Sequence, residues 1–191
     1  MNHFSPVEVA HRFVRTLLKE GDLCVDATMG NGHDSVFLAQ LVGTSGKVLG
    51  FDVQSSAIEN ARKRLEVQGL SDRVVVCRRG HETLSFELKS LDWPSVQLVM
   101  FNLGYLPGSD KSIITNKETT LQALDASSQS LAKEGAISII AYRGHAGGSA
   151  EYYAVQNWMD NLPEKDFFCL RYERWSNQRG QTPVFFWVRR R

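Results

Sequence analysis

The chain has 191 residues, enough for one domain with a full core, and its 42% apolar and 23% charged residues are those of an ordinary globular protein. Its formal net charge of +1 does not decide for or against nucleic acid, because positive residues can gather on one face of a nearly neutral chain. No apolar stretch approaches the ~20 residues of a membrane helix, the start MNHFSPVEVAHRF lacks the pattern of a signal peptide, and Cys24, Cys77 and Cys169 lie singly in apolar runs, so no membrane span, secretory leader, disulfide framework or zinc knuckle is expected, and a cytoplasmic protein is.

The first helix begins at SPVE: Ser5 as N-cap, Pro6 at the first helical position and Glu8 closing a capping box. Val7, Ala10, Phe13, Val14, Leu17 and Leu18 form one apolar stripe, and Gly21 is expected to stop the helix. Strand-like runs follow at LCVDAT, KVLGFDV, RVVVCRR, VQLVMFNL, AISIIAY, FFCLRYERW and PVFFWVRR. Amphipathic stretches such as SSAIENARKRLEVQGL and TTLQALDASSQSLAKEG separate most of them. Strands alternating with helices call for a parallel sheet covered on both faces. Only SNQRGQT separates the last two strands, too short for a crossover helix, so they form an antiparallel hairpin. No repeat or linker divides the chain, and residues 1–191 are read as one domain. Five parallel strands followed by an antiparallel pair is the pattern of the α/β, Rossmann-like class I S-adenosylmethionine-dependent methyltransferase fold, with a seven-stranded, mostly parallel sheet.

In such sheets ligands bind beyond the carboxyl ends of the strands, so chemistry is sought just after each one. The first strand runs into DATMGNGHDS, in which Asp26 closes the strand, Gly30 and Gly32 let backbone approach a ligand, and Asp34 or Ser35 starts a helix. The methyltransferase pattern has a glycine where this chain has Thr28. The second strand ends GFDVQ, placing Asp52 about 20 residues past the turn, where a carboxylate accepts from ribose hydroxyls, with Gln54 beside it. Together these indicate an adenosine-bearing cofactor. A nicotinamide dinucleotide stays open, since GNGHDS resembles GxGxxG, but an acid at Asp26 repels a pyrophosphate and attracts the amino end of S-adenosylmethionine. RRGHETL after the third strand offers His81 or Glu82 to border the adenine.

The fourth strand ends VMFNLGYLPGSDK, where Asn102-Leu103-Gly104-Tyr105 resembles the Asn-Pro-Pro-Tyr/Phe motif of amino-nitrogen methyltransferases. A nucleophilic nitrogen must aim its lone pair at the methyl carbon, and the Asn102 oxygen with the Leu103 carbonyl can accept its N–H bonds and aim it. Tyr105 offers a face for a flat base. After the fifth strand, AYRGHAGGSAEYY brings His145 and the pair Gly147-Gly148 to the same sheet edge as pocket wall or lid, with His145 as a proton acceptor. His33, His81 and His145 all follow strands but have no metal-ligand spacing, and no metal is expected.

DATMGNGHDSVFLA, GFDVQ, NLGYLPGSDK and YRGHAGG…E resemble, in order and spacing, a small family of methyltransferases labelled as rRNA methylases. Its characterised bacterial members act on tRNA 5-(aminomethyl)-2-thiouridine. The resemblance implies methyl transfer from S-adenosylmethionine to the primary amine of that wobble base in the anticodon loop, and a homodimer. It also implies that Asp26, Asn31, Asp52 and His81 line the cofactor, that Asn102, Gly104 and Tyr105 form the transfer site, and that His145 lies on the substrate side. Arg62-Lys63-Arg64, Arg78-Arg79, Arg171, Arg174, Arg179 and Arg189-Arg190-Arg191, with Trp175 among them, are the candidates for RNA contact. Two other readings remain open at this point: a methyltransferase of small-molecule or protein amines, and a cofactor-binding module without catalysis.

Overall fold

The computed structural model describes residues 5–105, 114–175 and 182–191. Its strands are β1 (Leu23–Asp26), β2 (Lys47–Phe51), β3 (Val74–Cys77), β4 (Val96–Leu103), β5 (Leu131–Ala141), β6 (Phe167–Glu173) and β7 (Val184–Arg190). They form one sheet in the order β3-β2-β1-β4-β5-β7-β6. The first five are parallel, and β7 lies antiparallel between β5 and β6. This is the expected seven-stranded architecture. Strand order reverses between β1 and β4, so a crevice opens beyond their carboxyl ends.

The helices are α1 (Pro6–Leu17), α2 (His33–Leu41), α3 (Ser55–Val67), α4 (Leu84–Ser90), α5 (Lys117–Ser130) and α6 (Gly148–Asp160). One apolar cluster joins α1, α2 and α3 to one face of the sheet through Val14, Leu38 and Leu65, and a second joins α4, α5 and α6 to the other through Leu84, Leu124 and Val155. With both faces covered, a central strand must be apolar throughout. In β4, Leu98 and Met100 enter the first cluster while Val99, Phe101 and Leu103 enter the second. The Ser5 hydroxyl accepts from the Glu8 N–H at 3.2 Å, as the capping box requires. Phe13 then packs edge-on against Phe185 and Trp187 of β7, which carries α1 across the sheet toward the crevice.

Three boundaries differ from the expectation. α1 ends at Leu17 rather than near Gly21, because Asp22 folds back to accept from the Lys19 N–H at 2.7 Å and makes a separate turn. α2 starts at His33, two residues before the apolar run, so His33 and Asp34 belong to its first turn. Leu131-Ala132-Lys133-Glu134-Gly135 continues β5 instead of α5: Leu131 pairs with Val96, and the register then shifts before Ala136 meets Leu98. Arg190 secures this early start by donating to the Leu131 carbonyl at 2.7 Å.

Candidate active site

A cleft of about 370 Å³ lies over the carboxyl ends of β1, β2 and β4. Of the residues expected from the sequence, Gly30, Asp52, Gln54, His81, Asn102, Gly104 and Tyr105 line it. Asp52 sits where β2 ends, and burial raises its pKa. One carboxylate oxygen accepts from the Gln54 N–H at 2.8 Å and the other from the Gly30 N–H at 2.9 Å. Those two bonds fix the carboxylate and tie the β1 turn to β2, while a carboxylate's four lone-pair sites leave capacity for hydroxyl donors.

His81 lines the cleft after β3. It is buried, its ring stands edge-on to Phe101, and burial lowers its pKa. Nδ1 lies 3.1 Å from the Ala27 carbonyl, which only accepts, so Nδ1 carries the proton and Nε2 keeps a lone pair. That Nε2 is buried without a partner. A buried acceptor without a donor needs one from whatever fills the cleft, and an adenine amino group has that chemistry. The fixed carboxylate of Asp52 at one end and the orphaned His81 acceptor at the other fit an adenosine-bearing cofactor.

Five of the expectations lie elsewhere than in the lining of the cleft. Asp26 is fully buried beneath the turn, where it accepts from the Ser35 hydroxyl at 2.6 Å and the Thr28 N–H at 3.3 Å. Its pKa is raised to about 7 by burial first and then by the charge of Asp34. Asn31 faces away from the cleft, accepting from Asn60 at 3.1 Å through its side chain and from Arg64 at 2.8 Å through its carbonyl. Gly32 is needed for packing rather than for a ligand: it is the left-handed N-cap of α2, at φ 79°, and a Cβ there would lie 2.9 Å from Ala61 of α3. His145 is not part of the cleft lining but stands next to it, its ring edge-on to Tyr105 at 5.9 Å and its Nδ1 2.9 Å from the Ala146 carbonyl. Gly147 and Gly148 are not loop: Gly147 caps α6 and Gly148 begins it.

The β4 side of the cleft is held by residues to which the sequence assigns no such role. The Asn102 N–H donates to the Thr28 hydroxyl at 2.7 Å, so the residue that replaces a glycine of the general motif joins β1 to the end of β4. The Asn102 side-chain amide donates to Asp34, whose other oxygen is 2.8 Å from His11 Nε2. Gly104 and Tyr105 pair with Thr115 and Ile114. The Gly104 N–H donates to the Thr115 hydroxyl at 2.9 Å, which donates to Glu151 at 2.8 Å, and Thr120 donates to the second Glu151 oxygen at 2.6 Å. Glu151 is buried, which raises its pKa. The stretch LPGSDK, residues 106–111, lies outside the described residues.

The basic clusters divide by position. Arg189, Arg190 and Arg191 are at the edge of the sheet opposite the cleft, since Arg189 pairs with Ala136 at the start of β5, and Arg189 is also bound to Glu134 at 2.5 Å. Arg64 is engaged with Asn31, and Arg78 with Ser55 at 2.9 Å. Arg79 lines the cleft, and Arg171 and Arg174 lie at or just past the end of β6 that shares the cleft edge. Arg179 lies outside the described residues.

Comparison with known proteins adds four findings. A family model described as "Putative rRNA methylase" matches residues 48–189. The chloroplastic tRNA (mnm(5)s(2)U34)-methyltransferase of Arabidopsis thaliana is 34% identical over 189 residues, covering 95% of this chain and 69% of that protein. Among solved structures, a Clostridium thermocellum protein with the same rRNA-methylase description is 37% identical with a TM-score of 0.93 over 100% of both chains. A Streptococcus mutans protein described as a methyltransferase, in complex with SAH, is 33% identical with a TM-score of 0.86 over 97% of this chain and 98% of that one.

Proposed function

The chain belongs to the rRNA-methylase family of S-adenosylmethionine-dependent, RNA-modifying methyltransferases, and from that premise we propose that it methylates the aminomethyl nitrogen of 5-aminomethyl-2-thiouridine at the wobble position of tRNA. The proposal treats residues 1–191 as a single catalytic domain. The observation that carries it is the place of Asn102: a carboxamide at the end of β4, in the cleft, next to Gly104 and Tyr105 and across from Asp52. The 34% identity to the plant tRNA enzyme along nearly the whole chain supports the choice of substrate.

S-adenosylmethionine supplies a methyl group on a sulfonium. Asp52 and His81 would hold its adenosine part, with Gly30 and Gln54 beside them. An alkyl amine has a pKa of ~10 and arrives protonated, so a proton must leave before its lone pair can react. The low-dielectric cleft disfavours the charged amine. The Asn102 side-chain oxygen accepts an N–H of the neutral amine and aims its lone pair. Tyr105, 39% exposed at the mouth, presents a ring on which an unpaired base can stack. His145, with its Nδ1 proton directed to Ala146 and its Nε2 without a partner, is the group on the substrate side able to take the proton. Arg174, Arg79 and Arg171 are the basic residues at this edge placed to meet phosphates, the last two ion-paired to Glu87 at 3.0 Å and Glu173 at 2.5 Å. The homodimer implied by the family resemblance has a candidate surface in the edge strand β6, where Phe168 is 46% exposed.

The test is transfer in vitro to tRNA from a strain lacking the enzyme, read by nucleoside mass spectrometry. The expected result is conversion of the aminomethyl to the methylaminomethyl nucleoside. Transfer to small amines but not to that tRNA would move the protein to another substrate class.

A further inference from the structure

We propose that Asp34, held by His11 of α1, is the positioning residue that sets which end of the Asn102 carboxamide faces the transferring nitrogen. This rests on the reading of Asn102 as the acceptor for that nitrogen. An asparagine side chain has a donor end and an acceptor end of nearly equal shape, and only the acceptor end can hold a neutral amine with its lone pair free. Something in the protein must therefore choose between two rotations of the amide.

Asp34 makes that choice by chemistry. A carboxylate only accepts, so the Asn102 group bonded to it must be the NH2. The Asn102 backbone N–H is taken by Thr28 at 2.7 Å, leaving the side-chain oxygen as the polar atom directed to the cleft that Asn102 lines. The second Asp34 oxygen is 2.8 Å from His11 Nε2, whose proton must then sit on that nitrogen. The His11 ring is itself stacked on Phe37 at 4.1 Å and 14°. One carboxylate is thus gripped from α1 and from β4 at once. Asp34 is in the first turn of α2, where the helix dipole favours an acid, and it is shielded from water by its partners. The titratable groups that face it are His11 on α1, Asp26 at the end of β1 and the Tyr142 phenol after β5.

The same carboxylate has an electrostatic consequence. As the nitrogen lone pair takes the methyl carbon and the carbon–sulfur bond breaks, positive charge moves from sulfur to nitrogen. A fixed anion one amide away from that nitrogen favours the charge where it develops. A simple tie between α1 and α2 would use the His11–Asp34 pair alone and would have no need of Asn102.

The experiment is a mutant cycle on the full-length protein, measuring kcat for tRNA methylation, SAH affinity by calorimetry and melting temperature. Asp34→Asn removes the fixed charge and leaves one acceptor where the carboxylate had two, so either the Asn102 amide turns its oxygen to the new NH2 or His11 shifts its proton to Nδ1 and accepts from it. The substitution is expected to lower kcat by ~30-fold with SAH affinity within about twofold. In an Asn102→Ala background the same substitution is expected to add less than about twofold, because its effect passes through the missing side chain. His11→Gln, which keeps a donor in the place of Nε2, is expected to recover most of the rate that His11→Ala loses. Independent losses for Asp34→Asn and Asn102→Ala, or a loss confined to melting temperature, would overturn the proposal. If Asn102→Ala itself turns over normally, the reading of Asn102 fails first; if it collapses while Asp34→Asn does not, only the role of Asp34 fails.

Discussion

The two halves of the cleft are wired differently. On the half proposed for the methyl donor, after β1, β2 and β3, the polar side chains are fixed by main chain: Asp52 by the N–H groups of Gly30 and Gln54, and His81 by the Ala27 carbonyl. On the half proposed for the acceptor, after β4, side chains on remote elements take a larger part: Asn102 is held by Thr28 and Asp34, and Gly104, besides its main-chain bond with Thr115, through the Thr115 hydroxyl to Glu151. A cofactor shared by many enzymes can be held by geometry that any sequence with the right turns supplies. A substrate particular to one enzyme needs donors and acceptors chosen one by one, and only side chains offer that choice.

The division predicts a crossed pair of effects. Asn102→Ala is expected to cut turnover by ~100-fold or more while SAH binds within about twofold of the wild type. Asp52→Ala is expected to weaken SAH binding by ~30-fold, since it removes a charged acceptor and leaves two N–H groups without one. Calorimetry for the donor and single-turnover rates at saturating donor separate the two. Equal losses in both measurements for both variants would mean that the halves act as one site.

What could be read from the sequence follows the same line. The fold, including the antiparallel pair β6 and β7, was legible because apolar runs, glycine turns and a short last connection are local signals. That Asp52 and Gly30 meet in the cleft was legible because an acid at a strand end and a glycine turn sit at fixed spacing on consecutive elements. Asn31 and Gly32 were misread because the same turn also packs against α3, and a spacing rule does not say which way each residue faces. Asn102 was legible as a strand-end motif, but its partner Asp34 is 68 residues away and appeared only as a helix start. Glu151 is 36 and 31 residues from its two threonines, and an acid inside an amphipathic helix reads as surface until the fold buries it. Thr28, apparently a lapse from the glycine pattern, supplies the hydroxyl that joins the halves.

A smaller effect is expected from Glu151→Ala, which leaves the Thr115 and Thr120 hydroxyls without their acceptor in a buried site. The loss is about 1–3 kcal/mol of stability, together with a roughly tenfold fall in turnover as the Gly104 backbone loses its support. SAH affinity should hold, because no donor-side group depends on Glu151. A chemical-denaturation curve with a parallel SAH titration checks both statements, and weakened SAH binding would show that the Glu151 chain reaches across the division.

The subtlest test concerns Asp26, which belongs by sequence to the donor half and by geometry to the scaffold beneath it. Its pKa is raised from 3.8 to about 7 by burial and by Asp34, so the folded state holds this proton more tightly than the unfolded chain does. Its contribution is therefore fully present below pH 4 and is lost as pH rises toward 7, with a slope that reaches about 1.4 kcal/mol per pH unit for one proton. Asp26→Asn removes the titration and keeps a polar partner for Ser35. Urea unfolding of both proteins from pH 5 to 8 should show the wild type losing stability relative to the variant as pH rises, with the curves parallel above about pH 8. Parallel curves across the whole range would remove the buried carboxylate from the account. The same series with saturating SAH sharpens the comparison: an unchanged slope keeps Asp26 below the turn, whereas a slope abolished by SAH means that the amino end of the ligand reaches the carboxylate, joining Asp26 to the donor's own contacts.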